Sequence, residues 1–456
     1  MTNVVIIGGG PGGYEAALVA SRLGAIVTII ERDGWGGATV LTDCVPSKTL
    51  IATSELLSEV ASAAELGVEM PTEVRADLSS VNARVLELAD AQSSDIAHRL
   101  KSANIELVRG NARLDSATAV LVETPEGERR IDADAILLAT GASPRTLSNA
   151  EPDGERILTW KQIYSLNETP EHLIVVGSGV TGAEFASAYS LMGVDVTLVS
   201  SRNQVLPGED TDAANLIEDV FTRDGMTVLG NSRMESVVRE GELVRVRLVD
   251  GREVVGSHCL LALGSIPNTE GLGLEEVGVR VNDAGFIEVD RVSRTSAPGV
   301  YAAGDCTGVF MLASVAAQQG RIAMAHLLGD AVRPLNLSIV ASNIFTTPEI
   351  ATVGLSERQI EERGFLVDEA VLPLSANPRA KMQGIHDGFV KLFARQGVGT
   401  IVGGVVVGPH ASELIHPIAL AVSAGLTADQ VAATFTVYPS LSGSIGEAAR
   451  RLHRRE

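Results

Sequence analysis

The chain has 456 residues, a formal net charge of −21, a hydrophobic fraction of 45% and only 3 cysteines. A single core stops growing near about 250–300 residues, so two to four domains are expected, and the apolar content excludes a disordered chain. The acidic balance argues against nonspecific binding to DNA, RNA or anionic lipid. Cys44, Cys259 and Cys306 are too scattered for a disulfide framework or a metal-ligand cluster, so no metal site is expected and a reducing setting is.

The N-terminus, Met1-Thr2-Asn3-Val4-Val5-Ile6-Ile7-Gly8, has no basic segment and no small-residue cleavage site. No stretch approaches the roughly 20 apolar residues of a spanning helix. A soluble, cytoplasmic protein is expected.

The first element is the apolar strand Val4-Val5-Ile6-Ile7. It runs into Gly8-Gly9-Gly10-Pro11-Gly12-Gly13, an Ala-rich helical stretch and a second strand ending at Glu31. This is a G-x-G-x-x-G dinucleotide-binding βαβ unit. Gly8 makes the tight turn, Gly10 lets the backbone approach a pyrophosphate, and Gly13 packs helix on strand. The pyrophosphate sits at the helix N-terminus, where free N–H groups and the dipole favour an anion. Glu31, 18 residues after Gly13, accepts from ribose hydroxyls and repels a 2′-phosphate.

The pattern returns after a shift of 169 residues as Leu173-Ile174-Val175-Val176-Gly177-Ser178-Gly179-Val180-Thr181-Gly182, a helical stretch and Val196-Thr197-Leu198-Val199-Ser200. Gly8, Gly10, Gly13, Glu15, Gly24, Val27 and Thr28 all recur unchanged at that offset. One Gly-rich turn is weak evidence in a chain with 46 Gly; two, each behind a strand, are strong. In the second copy Ser200 replaces the carboxylate, and Ser201 and Arg202 follow. A guanidinium there suits a 2′-phosphate, so NADPH is expected, with NADH also usable; the bland alternative is that Arg202 is a solvated loop residue. A third signal is Gly299-Val300-Tyr301-Ala302-Ala303-Gly304-Asp305, a strand ending in Gly-Asp, preceded along the chain by the strand-turns Ala139-Thr140-Gly141 and Leu263-Gly264-Ser265.

This order, together with Gly36-Gly37-Ala38-Thr39-Val40-Leu41-Thr42-Asp43-Cys44-Val45-Pro46-Ser47-Lys48, resembles the flavoprotein disulfide reductase family, which includes dihydrolipoamide dehydrogenase and glutathione reductase. Phe345-Thr346-Thr347-Pro348-Glu349, Arg379-Ala380-Lys381 and Gly408-Pro409-His410-Ala411-Ser412-Glu413-Leu414 are similar to that family's interface domain. The resemblance spans the whole chain. It implies an α/β protein with two Rossmann-like, three-layer nucleotide-binding domains and an α+β C-terminal dimerisation domain. The expected boundaries are 1–148 with 268–335 for FAD, 149–267 for NAD(P), and 336–456 for the interface, giving a homodimer. It assigns cofactor contacts to Gly8, Gly10, Pro11, Gly12, Gly13, Glu31, Arg32, Gly37, Ala38, Thr39, Lys48, Ala112, Ala139, Thr140, Gly141, Asp305, Leu312 and Ala313, and to Gly177, Gly179, Val180, Thr181, Gly182, Glu184, Ser201, Arg202 and Gly264.

The departures carry the functional reading. The family pattern has two cysteines separated by four residues; here the first position is Thr39, and only Cys44 remains. A dithiol relay needs two sulfurs that can join, and a threonine hydroxyl cannot. The family's His-Pro and the Glu five residues beyond that His, which serve as base, are Tyr438-Pro439 and Gly443 here. Tyrosine, with a reference pKa near about 10, is a poor base at neutral pH. Lys48 and Glu184 match the catalytic lysine set beside flavin N5 and the glutamate that pairs with it; without the resemblance they read as a surface lysine and a helix first-turn carboxylate. Val180 stands where some members carry a nicotinamide-gating tyrosine.

What survives is hydride transfer from NAD(P)H to FAD; what is lost is transfer to a disulfide. The expected activity is therefore an FAD-dependent NAD(P)H:quinone oxidoreductase. Alternatives are a soluble pyridine nucleotide transhydrogenase, a peroxidase using Cys44 as a sulfenic-acid centre, and a noncatalytic FAD-containing redox-sensing or binding protein.

Overall fold

The computed structural model describes residues 1–69, 74–364 and 366–453. The chain divides into two compact units: 1–49, 82–145 and 263–336 form the first, and 50–81, 146–262 and 337–456 the second. Residues 50–81 thus group with the second unit rather than with the N-terminal βαβ unit.

The first unit is built on a five-stranded parallel sheet in the order Val300–Ala302, Ala135–Leu138, Asn3–Ile7, Ile26–Glu31, Glu106–Arg109. Val4, Val5, Ile6 and Ile7 are all buried, as are Ala135, Ile136, Leu137 and Leu138. Strands covered on both faces have no polar side, so they read as unbroken apolar runs. The helix Pro11–Arg22 packs on the helix Ala313–Leu327 through glycine. A Cβ on Gly320 would lie 2.0 Å from the Gly12 carbonyl oxygen, so the two backbones touch where any larger residue would separate them. A three-stranded antiparallel sheet, Asn111–Ser116, Ala119–Thr124 and Gly127–Asp132, also belongs to the unit, as does the pair Ala142–Pro144 and Ser265–Pro267.

The second unit holds a matching parallel sheet: Thr227–Leu229, Asp195–Val199, His172–Val176, His258–Leu261, Ile157–Thr159. The two sheets share a strand order, except that the outermost strand beyond the Gly-turn strand's neighbour comes late in the chain in one and early in the other. The second unit also contains a five-stranded antiparallel sheet, Ala341–Ile344, Glu349–Gly354, Ile401–Gly408, Phe389–Arg395, Val367–Pro373. The helices Ala411–Ala424 and Gly443–Arg451 cover it, with Val390, Leu392, Val406, Ile415, Ile418, Ile445 and Ala448 in the core. The architecture is α/β with two Rossmann-like sheets and an α+β C-terminal part, as expected from the sequence.

Candidate functional site

The two copies of the repeat share the same turn geometry. Gly8 has φ +108° and Gly177 φ +112°, a conformation open to glycine alone. The Gly8 N–H donates to the Ile30 carbonyl at 2.8 Å and the Gly177 N–H to the Val199 carbonyl at 2.9 Å. A Cβ on Gly13 would lie 1.9 Å from the Gly8 oxygen, and one on Gly182 would lie 1.8 Å from the Gly177 oxygen. Each third glycine is therefore required by helix-on-strand packing.

The helices Pro11–Arg22 and Val180–Leu191 start from Gly10 and Gly179, whose absent side chains leave the first-turn N–H groups uncapped. A Cβ on Gly179 would meet nothing within 4 Å, and one on Gly10 only the Gly36 oxygen at 3.9 Å. Both turns thus keep open space where a pyrophosphate would approach. In the first turn the Glu31 carboxylate ends its strand and accepts from the Gly9 N–H at 2.6 Å and the Asp33 N–H at 2.7 Å. These bonds fix a carboxylate at the end of the strand, where it would accept from ribose hydroxyls of a bound FAD. In the second turn the equivalent bridge is a hydroxyl pair, Ser178 Oγ to Ser200 Oγ at 2.7 Å. Arg202 beyond it is exposed, and its guanidinium has no side-chain partner among the described residues.

The structure gathers the sequence-derived flavin residues in the first unit. Gly36 N–H donates to the Gly9 carbonyl at 2.9 Å, and a Cβ on Gly37 would come within 2.9 Å of the Gly10 Cα. The helix Gly37–Leu41, carrying Ala38 and Thr39, is thereby docked on the Gly-rich turn. Cys44 opens the helix Cys44–Ser62, and Lys48, four residues on, shares its face and is half-buried. Thr140 Oγ1 donates to the Asn268 carbonyl at 2.7 Å and Asn268 Nδ2 to the Thr140 carbonyl at 2.9 Å, fixing the Ala139-Thr140-Gly141 turn; the Arg145 N–H to the Gly264 carbonyl, 2.9 Å, adds to it. Leu312 caps the helix that Ala313 begins. Arg32 is exposed and paired with Asp33, and the Ala112 side chain lies in the core. Gly177, Gly179, Val180, Thr181, Gly182, Glu184, Ser201 and Arg202 all lie in the second unit.

Asp305 stands at the head of a short 3-10 turn, Asp305–Thr307. Burial, reinforced by the charge of Asp43, pushes its carboxyl up to about 6. The neighbouring acid was not anticipated, because nothing in the sequence links positions 43 and 305. Cys306 is fully buried, its Sγ directed at the Ala303 and Leu138 carbonyls at 3.4 and 3.7 Å, and burial raises its thiol to about 11. Cys259 is likewise buried and its thiol pushed up. No disulfide joins any of the three cysteines. Thiols so disfavoured as thiolates are inert.

In the second unit Glu184 is almost fully buried, and its Oε1 accepts from the Phe345 N–H at 2.9 Å. A second bond follows one turn on, where the Thr347 N–H donates to Ser187 Oγ at 3.1 Å. The Phe345–Glu349 motif thus serves a purpose that the sequence reading did not assign: it seats a glutamate. Among the described residues, Asn377 Nδ2 donates to the Ser440 carbonyl at 3.0 Å and to Ser444 Oγ at 2.7 Å, ordering the segment around Tyr438. Phe435, Val437 and Tyr438 project from it almost wholly exposed.

Comparison with known proteins agrees with this architecture. Residues 2–320 match the pyridine nucleotide-disulphide oxidoreductase family model, and residues 340–449 match the family's dimerisation domain. The chain is 52% identical to the NAD(P)H dehydrogenase (quinone) of Mycobacterium tuberculosis, covering 99% of this chain and 94% of that protein. It is 35% identical to the dihydrolipoyl dehydrogenase of Chlorobaculum tepidum, over 98% and 96% of the two chains. The crystal structure of LpdA from M. tuberculosis superposes with a TM-score of 0.95 at 51% identity, covering 100% of each chain. No helix among the described residues is long and apolar enough to cross a membrane. The chain belongs to the pyridine nucleotide-disulphide oxidoreductase family, as a dihydrolipoamide dehydrogenase-like oxidoreductase that uses FAD and NAD(P)H.

Proposed function

We propose that the protein is a cytoplasmic, homodimeric NAD(P)H:quinone oxidoreductase in which electrons pass through FAD to a quinone-like acceptor without a dithiol relay. The observation that carries this reading is the pairing of two intact dinucleotide cradles with a dismantled thiol apparatus. Thr39 occupies the first cysteine position, Cys306 and Cys259 are buried and inert, and Tyr438 and Gly443 stand where the base pair would be. The relative named as a quinone-acting NAD(P)H dehydrogenase supports the acceptor class.

When bound, FAD supplies the two-electron chemistry that connects a nicotinamide donor to the acceptor. The chain's own contribution is positional and electrostatic. Gly10 and Gly179 present uncapped helix N-termini to the two pyrophosphates. Glu31 holds ribose hydroxyls, while Ser201 and Arg202 take a 2′-phosphate and so favour NADPH. Lys48 would offer a cation to the flavin, and Glu184 a catalytic carboxylate. Loss of the thiol, imidazole and carboxylate leaves neutral side chains that suit a flat aromatic acceptor. The exposed Phe435, Val437 and Tyr438 belong to a domain of the dimerisation type, and a second copy would cover them.

The test is steady-state turnover of the purified flavoprotein with NADPH and a panel of menadione, lipoamide, oxidised glutathione and a thio-NAD analogue. Menadione turnover alone is expected. Bleaching of the flavin by NADPH without quinone turnover removes the proposal, and dominant thio-NAD reduction replaces it with a transhydrogenase. Light scattering should give twice the chain mass, and Phe435→Asp should lower it to one.

A further inference from the structure

A lone lysine interrupts the apolar strand Phe389-Val390-Lys391-Leu392-Phe393, and its side chain is 0% exposed. Burying an ammonium without partners is costly, so its surroundings show what it is for. Lys391 Nζ lies 3.0 Å from Asp210 Oδ2, 2.6 Å from Asp212 Oδ2 and 2.7 Å from Glu357 Oε1. The three carboxylates, close enough together to ligate a metal, are thus already held by a cation of the chain itself.

Asp210 is the more telling partner. It is buried, and its Oδ1 accepts from the Asp212 and Ala213 N–H groups at 3.1 and 3.2 Å, capping the helix Thr211–Arg223. It also ends the loop that follows the second Gly-rich unit's second strand. The start of that loop is tied to the Gly-rich turn: Ser200 bonds Ser178, the Arg202 N–H donates to Ser200 Oγ at 3.1 Å, and the Leu206 N–H donates to the Ser178 carbonyl at 2.9 Å. Leu206 is buried with φ +51°, a conformation that a branched side chain adopts only when its surroundings demand it. The loop is therefore fixed through Ser178 at Ser200 and Leu206 and at its end by Asp210, with Ser201 and Arg202 exposed near its start.

We infer that Lys391, in the C-terminal antiparallel sheet, is a positioning residue for nucleotide choice: by clamping Asp210 it holds the 200–210 loop so that Ser201 and Arg202 meet a 2′-phosphate. The inference rests on the assignment of Arg202 to that phosphate. Charge-assisted contacts to phosphate are strong but geometrically demanding, so a displaced loop forfeits the 2′-phosphate while the pyrophosphate cradle at Gly179 is untouched.

The experiment is calorimetric titration of the FAD-loaded protein with 2′,5′-ADP and with 5′-AMP. The double variant Lys391→Met/Asp210→Asn removes the ion pair without stranding a lone charge of that pair, and asparagine keeps the capping oxygen. It is expected to lower the preference for 2′,5′-ADP about five- to tenfold while 5′-AMP binding stays within about twofold. An unchanged preference, or an equal loss of both ligands, overturns the inference and leaves Lys391 a purely structural residue. Should the double variant not fold, Lys391→Arg decides, since it keeps the charge on a wider fork; a preference lowered at least about threefold supports the role and an unchanged one overturns it. Arg202→Ala separates the underlying assignment: if it leaves the preference intact, the phosphate assignment itself fails, whatever Lys391 does.

Discussion

The carboxylate of Glu184 and the backbone N–H of Phe345 lie 161 positions apart in the chain and 2.9 Å apart in space. The contact explains how a carboxylate that is almost fully buried is kept on a helix of mean apolar character: the C-terminal part of the chain lends it a donor. It also separates two consequences of mutation. Glu184→Gln keeps an oxygen for Phe345 and removes the charge, so thermal stability should change little while stopped-flow flavin reduction by NADPH slows about tenfold or more. Glu184→Ala removes the acceptor of the Phe345 N–H and should in addition cost about 1–3 kcal/mol in denaturant unfolding.

Gly179 and Gly182 stand three residues apart and should fail in opposite ways. Gly179→Ala meets open space, so the melting temperature and FAD content should be preserved while NADPH affinity falls about tenfold, because the methyl group occupies the pyrophosphate's approach. Gly182→Ala would press a carbon to 1.8 Å from the Gly177 oxygen and should destabilise by about 3 kcal/mol or more. Melting curves with a nucleotide titration check both.

Asp305 makes the apoprotein pH-sensitive. Its folded carboxyl is raised from 3.8 to about 6 by burial and by Asp43, so the folded state holds a proton that the unfolded chain releases. This contribution is fully present below about pH 4 and is lost as pH rises through about 6, a change of about 2–3 kcal/mol. The difference in unfolding free energy between wild type and Asp305→Asn apoprotein, measured from pH 4 to 7, should therefore move steadily against the wild type. A flat difference would show that the carboxyl titrates normally.

Cys44 should be dispensable. With Thr39 opposite it in the motif and the other two thiols buried, Cys44→Ser is expected to leave menadione turnover within about twofold of wild type. Thr39→Cys should not create lipoamide reduction, because Tyr438 and Gly443 supply no base. Activity lost in Cys44→Ser would return the thiol to the mechanism.

Much of the fold could be read in advance because local rules act on short segments. The two Gly-rich units announced themselves through their glycine spacing, in which the first and third positions tolerate no Cβ, and the buried parallel strands through apolar runs with no polar alternation. That Glu31 stands at the end of the second strand of its βαβ unit, and Ser200 just past the end of its own, followed from counting along each. The hidden features are those in which partners lie far apart in sequence. Asp43 beside Asp305, Phe345 beneath Glu184 and the carboxylates around Lys391 leave no spacing to detect. Lys391 alone gave a signal, as a charge inside an apolar strand, but not the identity of its partners.

By itself the sequence determined the architecture, the two nucleotide cradles and the absence of a dithiol, since each depends on residue types at short, fixed separations. Only the tertiary structure decided which carboxylates are buried together, which thiols are inert and what holds the 200–210 loop. Those properties arise from desolvation and from hydrogen bonds across long loops, and neither exists until the chain has folded.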